Sequence, residues 1–482
     1  MKLSTRVAYN TIIQIVGKIL STILGLIIVA VMTRYLGQTG FGEYTTVITF
    51  LSFFAILADL GLTLVTAQSI SAVTQKSQEN FILGNLFGLR LVSAFIFLSL
   101  GPLLVTFFPY EHNIKIGVLL ASFSFFFIAL NQVFIGLFQK YLRLDKAAIA
   151  EVASRIFLLL AVIISIELNF GLVGILIVTS LASAFSFLIN YFFSRKFARI
   201  KIIFDFKYWR IILSKSWPLA ITILFNLIYL KTDTLLLSLI KRPSSLGLIA
   251  EVGIYGAAYK VIDVLVTLPF MFAGIILPIL TLRWSQNDKE GFKNILQKTF
   301  DIMIILALPM VAGTQFIAEK MMNAIAGPDF SSSGPVLQIL ILAAAIIFLG
   351  CMFAHAIIAI GEQKKIISAY IFTALTAVIG YFIFIPAYSY FGAAWVTIYS
   401  ELTIAFASAY IIFKYAGFRP KYTIFLKSLI ASLIMSLILY ITKNYISQNL
   451  IMMLTTAGVT YFLALYFLKG IAKEDVLVLL NK

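Results

Sequence analysis

The chain is poor in cysteine, histidine and charge. One cysteine, Cys351, occurs among 482 residues, and it lies inside an apolar run. No intrachain disulfide and no cysteine-based metal site can form. The two histidines are His112, between two apolar runs, and His355, within one, where a packed imidazole is the simpler reading. There is no metal-ligand cluster, no phosphate-binding Gly loop of the Walker or Rossmann kind, and no paired-Asp motif. Charged residues make up 12%, against about 25% in soluble chains. A water-soluble protein of this size could not cover its surface with so few polar groups. Disorder and coiled coil fail on the same numbers.

What is present is apolar: 61% of residues are hydrophobic and the mean hydropathy is +1.02. These values point to an all-α polytopic membrane protein. A spanning helix needs about 20 apolar residues, because the hydrocarbon core is about 30 Å thick. The sequence holds about fourteen such runs: 8–33, 43–69, 81–107, 115–138, 148–166, 171–194, 212–239, 252–280, 300–318, 335–360, 366–386, 391–413, 423–442 and 450–468. Lys231 and Asp233 interrupt the seventh. Met1-Lys2 to Arg6 before an apolar run has the look of a signal peptide, but no small-residue cleavage site follows promptly. The run is read as an uncleaved first span.

The net charge is +17. The basic residues crowd into the loops on the N-terminal side, including Lys140, Arg143, Arg195, Lys196, Arg199, Lys289, Lys364 and Arg419. The opposite loops hold Arg34, Lys115, Lys241, Arg242, Lys320 and Lys443. The positive-inside rule then places both termini in the cytoplasm. This asymmetry accounts for the charge without nucleic-acid binding. The longest and most basic connection, about Arg195 to Lys215, suggests two six-helix halves, 1–205 and 206–418, with two added helices in 419–482. Faint internal similarity supports duplication. GFGEY ending at Tyr44 resembles EVGIY ending at Tyr255, FGLVGI from Phe170 resembles FGAAWV from Phe391, and FQK from Phe138 resembles EQK from Glu362. Chance likeness between apolar helices is the alternative. Halves of six helices each would be parallel repeats.

Charges inside a membrane cost about 2.5–3.5 kcal/mol each on insertion scales, so they face protein or water. Lys18 lies near the middle of the first span, on a stripe with Asn10, Gln14, Ser21 and Gly25 at helical spacing. Thr45, Thr49, Ser52, Asp59, Thr63 and Thr66 line one face of the second. The seventh carries Thr222, Asn226, Tyr229 and Asp233. The eighth carries Tyr255, Tyr259 and Asp263, with Lys260 one turn before Asp263. Glu401 lies mid-way along the twelfth, one turn from Thr397. Arg90 and Arg155 lie nearer the cytoplasmic ends of their helices. Two readings stand: a wet cavity between the halves, or polar glue across dry helix contacts. Full charges favour the cavity for Lys18 and Asp59. Lys260 and Asp263 can pair with each other, and Arg90 and Arg155 can reach the headgroups. Deep cations suit a phosphate or acidic sugar. Deep carboxylates suit a coupling cation or balance the basic groups.

Several stretches together resemble the polysaccharide-transport flippases of the O-antigen and capsule type, relatives of multidrug-and-toxin extruders. They are AYNTIIQIVGKILSTILGLIIVAVMTRYLGQTGFGEYTTV, the DLGLT at Asp59–Thr63, YLKTDTLLL around Asp233, EVGIYGAAYKV around Tyr255, and IAGPDF followed by VLQILIL. The resemblance implies two six-helix lobes in a V around a central cavity plus two C-terminal helices. It implies movement of undecaprenyl-pyrophosphate-linked oligosaccharide across the bacterial inner membrane, driven by an ion gradient (H+ or Na+), with no other cofactor. Partners would be the lipid-linked substrate, membrane lipids, and possible polymerase and chain-length proteins. Lys18 matches a cavity cation of relatives and Asp233 a family pattern. Substrate-binding candidates are Lys18, Arg90, Arg155 and Lys260. Coupling or gating candidates are Asp59, Asp233, Asp263 and Glu401. Asn10, Gln14, Thr49, Asn226, Tyr255 and Tyr259 would line the cavity. Efflux of cationic drugs on the same fold, and a membrane subunit of a polysaccharide synthase, are the alternatives.

Overall fold

The structure, a computed structural model, describes residues 3–470 apart from 60, 72, 74, 244, 245 and 447. Every regular element among the described residues is helical. The helices are α1 (Leu3–Asp59), α2 (Leu62–Ser71), α3 (Lys76–Val105), α4 (His112–Lys140), α5 (Leu144–Glu167), α6 (Gly171–Ser194) and α7 (Phe206–Leu239). They continue with α8 (Leu248–Leu265), α9 (Thr267–Ser285), α10 (Lys289–Ala326), α11 (Ser333–Ala359), α12 (Ile367–Ala416), α13 (Thr423–Ile441) and α14 (Leu450–Phe467).

Eleven stretches among the described residues are long and apolar enough to cross a membrane. Two of them are double. A straight 57-residue helix such as α1 would be about 85 Å long at 1.5 Å per residue, far beyond a bilayer. The chain instead leaves helical geometry at Gly37 (φ 64°) in α1 and at Ser389 (φ 52°) in α12. Each is therefore two spans. The remaining expected run, 212–239, falls on α7, a helix of 34 residues. The expected run 43–69 covers the end of α1 and most of α2, and 252–280 runs from α8 into α9; the others fall on single helices to within two residues.

The chain divides into two compact units, Met1–Gly253 and Ile254–Lys482. In the first, Leu86, Phe134, Phe138 and Trp209 form one core, and Phe50, Val118 and Leu176 another. In the second, Phe300, Met352, Phe353 and Ile412 pack together, and α13 and α14 lie on α10 through Ile317, Met435 and Tyr461. The Tyr461 hydroxyl donates to the Ile305 carbonyl at 2.8 Å. α7 packs with α1, α2 and α3 in the first unit. The reason is local. The connection before α7 is strapped to α3: the Ile203 N–H donates to the Gly84 carbonyl at 3.2 Å, and the Asp205 N–H to Asn85 Oδ1 at 3.0 Å. A Cβ on Gly84 would stand 2.2 Å from the Lys201 oxygen, so only glycine admits the strap. Asp205 then caps α7 by accepting from the Lys207 and Tyr208 N–H groups.

The repeat seen faintly in sequence has structural counterparts. FQK ends α4 and is followed by left-handed Leu142, whereas EQK comes after the end of α11 and is preceded by left-handed Gly361. FGLVGI and FGAAWV open α6 and the second half of α12, each just after a left-handed residue, Asn169 and Ser389. GFGEY and EVGIY follow Gly37 and Gly247, both at positive φ.

Candidate functional site

Lys18 sits on α1 at its contact with α5. Gly17 makes the approach possible, since a Cβ there would lie 2.8 Å from Ala148 Cβ. The approach brings Lys18 Nζ to 3.5 Å from Glu151 Oε1, with both side chains more than 40% exposed. The pair is loose and open. Arg155 stands one turn beyond Glu151 on α5, half-buried, within electrostatic reach of Tyr44. Gln14, one turn before Lys18, is half-buried. The Asn10 and Asn226 side chains lie outside the described residues.

Arg90 and Asp59 behave differently. Arg90 is 1% exposed and forms an ion pair with Asp59. The guanidinium also donates to Thr63 Oγ1 at 3.0 Å and to the Ala129 carbonyl at 3.1 Å, while its Nε has no partner among the described residues. Two residues expected to face a cavity are thus tied to each other and to α4. The Arg90 guanidinium is sealed from solvent, with its charge compensated by Asp59. The spacing in sequence gave no hint that the end of α1 meets the middle of α3.

Asp233 is fully buried and accepts from the Thr234 N–H. Thr49 is buried on α1. In the second unit, Lys260 Nζ lies 3.8 Å from Asp263 Oδ2, one turn apart on α8, both partly exposed. Tyr255 is fully buried; its hydroxyl lies 3.3 Å from Thr397 Oγ1 and its ring 5.6 Å from that of Tyr259. One turn beyond Thr397, Glu401 is 6% exposed and its Oε1 has no hydrogen-bond partner among the described residues. Tyr370, from the first half of α12, is near enough to interact with it electrostatically. A buried carboxyl without a partner is costly when ionised, and it is a natural place for a proton or small cation.

Three groups escaped the sequence reading. Glu151, near the start of the fifth expected span, is paired with Lys18. Glu79, 1% exposed at the start of α3, accepts from Lys140 at 2.9 Å and from the Tyr141 hydroxyl at 2.9 Å, with Lys76 at 3.5 Å. Arg242 and Glu251 form a buried pair across the α7–α8 turn, and Arg242 also caps the Leu237 and Ile240 carbonyls at 2.9 Å. Charges in loops carry no sequence mark of being buried. No group of three or more His, Cys, Asp or Glu suited to a metal ion occurs among the described residues.

Residues 7–284 match the profile of a family described as polysaccharide biosynthesis protein. The chain belongs to that family. No curated protein sequence matches the chain. Among solved structures it is similar to a lipid II flippase, MurJ, in an inward closed conformation, at TM-score 0.77 and 17% identity, covering 96% of this chain and 99% of that one. It is similar to an inward-facing multidrug resistance MATE transporter at TM-score 0.65 and 15% identity, covering 84% and 97%. A transporter of the same MOP superfamily from Pyrococcus furiosus, described by a binding pocket of reversed polarity, gives TM-score 0.58 and 15% identity over 86% and 94%. The family member therefore has the MurJ and MATE fold, and these solved relatives are transporters and flippases.

Proposed function

We propose that this family member is a flippase that moves undecaprenyl-pyrophosphate-linked oligosaccharide across the bacterial inner membrane for surface polysaccharide assembly. It is a transporter and not an enzyme, with both termini cytoplasmic. The observation that carries the reading is the contrast between Lys18 and Arg90. Lys18 is half-exposed and, among the described residues, pairs loosely with Glu151, which a phosphate oxygen could replace. Arg155 on the same stretch of α5 adds positive charge. Family membership and the MurJ-like fold support a lipid-linked substrate.

Glu401 is the proposed coupling group. Unpartnered and buried, it holds a proton in one state and releases it when its surroundings open to water; the ion could equally be Na+. Thr397, one turn before it on α12, meets the Tyr255 hydroxyl of α8. Asp233, Lys260 and Asp263 remain proposed gating or binding groups. A polymerase and a chain-length protein are the proposed downstream partners. Cationic-drug efflux is the second reading, favoured by the MATE likeness and by the buried carboxylate. The test is Lys18→Ala in the native host. Loss of surface polymer at normal protein level supports the flippase reading, and intact polymer removes Lys18 from substrate binding. Export of a cationic dye by purified protein in vesicles would favour the second reading.

A further inference from the structure

Residues 195–210, which join α6 to α7, hold six lysines and arginines and one carboxylate, Asp205. The six are Arg195, Lys196, Arg199, Lys201, Lys207 and Arg210, and each is exposed. None has a carboxylate partner among the described residues. The neighbouring acids are already engaged. Lys76 donates to the Phe197 carbonyl at 2.6 Å, and the Arg143 guanidinium lies 5.9 Å over the Phe197 ring, so the starts of α3 and α5 both adjoin the connection. There Glu79 is taken by Lys140 and Lys76, and Asp145 by Arg143 at 2.9 Å and Lys146 at 3.2 Å. Asp205 itself caps α7.

The six charges do not hold the connection in place. Backbone groups do. The Arg199 N–H donates to Asn80 Oδ1 at 3.3 Å, adding to the bonds that Ile203 and Asp205 make with Gly84 and Asn85. A Cβ on Gly88 would stand 2.5 Å from the Ile203 oxygen, so the strap lies close along α3 from Asn80 to Gly88. Like charges fixed on one short strap repel each other, and no carboxylate among the described residues offsets that cost. An anion from outside the chain would.

The apolar residues on the strap select the kind of anion. Ile202, Phe204 and Phe206 are 49%, 53% and 73% exposed, interleaved with Lys201 and Lys207. The Phe204 and Phe206 rings lie 5.8 and 5.1 Å from the buried ring of Trp209, which fixes their place. Cations alternating with exposed aromatic rings suit the boundary of an anionic bilayer, where phosphate meets acyl chain. A soluble anion would leave the rings uncovered.

We propose that residues 195–210 are a docking surface for anionic phospholipid of the cytoplasmic leaflet. Lys201, Lys207 and Arg210 take the headgroup phosphate, and Ile202, Phe204 and Phe206 lie against the acyl chains. The proposal needs a membrane protein in this orientation and does not depend on the flippase reading.

The test uses the full chain in mild detergent. It is titrated with phosphatidylglycerol or with phosphatidylcholine of the same acyl chains, and bound lipids are counted by native mass spectrometry. The first phosphatidylglycerol should bind about tenfold more tightly or better, since each cation near an anionic headgroup contributes about fivefold. The preference should shrink as salt rises. Lys201→Gln/Lys207→Gln/Arg210→Gln should remove most of it, and Phe204→Ser/Phe206→Ser should weaken both lipids severalfold. Arg283→Gln/Lys293→Gln, which removes two cations that already have carboxylate partners, should leave the preference unchanged. Equal affinity for the two lipids, a preference kept by the triple variant, or one indifferent to salt would overturn the proposal. So would displacement of phosphatidylglycerol by millimolar glycerol 3-phosphate, which would make the surface a soluble-anion site. Capture of polyglutamate in place of lipid would overturn it too, in favour of an acidic protein partner. If the triple variant does not fold, the salt series and the competition on the native chain decide.

Discussion

The Asp59–Arg90 pair gives a prediction whose direction is set by burial. Breaking a buried ion pair by removing one partner costs about 3–5 kcal/mol, mostly from the charge left behind. Asp59→Ala leaves a guanidinium that is 1% exposed. That charge keeps only the Thr63 hydroxyl and the Ala129 carbonyl as partners. Its loss should fall at the upper end of the range. Arg90→Ala leaves a carboxylate that is 24% exposed and can reach water, so its loss should be nearer about 3 kcal/mol or below. The double variant removes both charges and should recover part of the loss. The assay is the half-life of monodisperse purified protein in detergent at fixed temperature, since unfolding of such a protein is a rate rather than an equilibrium. Export measured per folded molecule should stay near normal in all three variants. The reasoning fails if Arg90→Ala is the more damaging change. It also fails if Arg90→Ala protein of normal half-life does not export, which would return Arg90 to the substrate path.

Four further outcomes follow from the same geometry. Lys18→Arg should keep export, because the charge persists, whereas Glu151→Gln should bind an undecaprenyl-pyrophosphate probe at least severalfold more tightly by removing the competing carboxylate; equal affinity would deny that Glu151 competes. Glu401→Gln should fold at least as well as the native chain, because no carboxylate is desolvated, yet lose transport driven by an imposed pH gradient in proteoliposomes. Gly84→Ala should lower the yield of folded protein, since the added methyl meets the Lys201 carbonyl, while Gly25→Ala, which meets nothing within 4 Å, should not. Asp288 accepts the Gly291 N–H and an Arg283 hydrogen bond at the start of α10, which hold its carboxyl below the ordinary value. That stabilisation is present above the unfolded aspartate value and is lost as pH falls through the lower folded one, so amide exchange in the first turn of α10 should quicken only in strong acid.

The spans were legible because each is a run of apolar residues long enough to cross a bilayer, and that requirement is one-dimensional. Even the bends at Gly37 and Ser389 fell between expected spans. The strap that holds the connection before α7 was not legible. Charge density between Arg195 and Lys215 looked like a linker, and nothing in it revealed that Gly84 and Asn85 hold it down. Site charges were half legible. Lys18 and Glu401 stood out because a lone charge in an apolar run is expensive. Their surroundings did not, because pairs such as Lys18–Glu151 and Asp59–Arg90 join helices far apart in sequence. The repeat motifs were seen as similar strings, and the close approach of Gly42 to Gly253 was not legible in them.

The central claim is that this chain moves a pyrophosphate-linked oligosaccharide between leaflets, and the most direct measurement is made in the native host. The gene is removed, undecaprenyl-pyrophosphate-linked oligosaccharides are extracted, and the leaflet holding them is determined. The account predicts completed repeat units trapped on the cytoplasmic face and surface polymer lost, both restored by the native chain and not by Lys18→Ala. Normal surface polymer with no trapped intermediate, in a host carrying no second flippase, would contradict it.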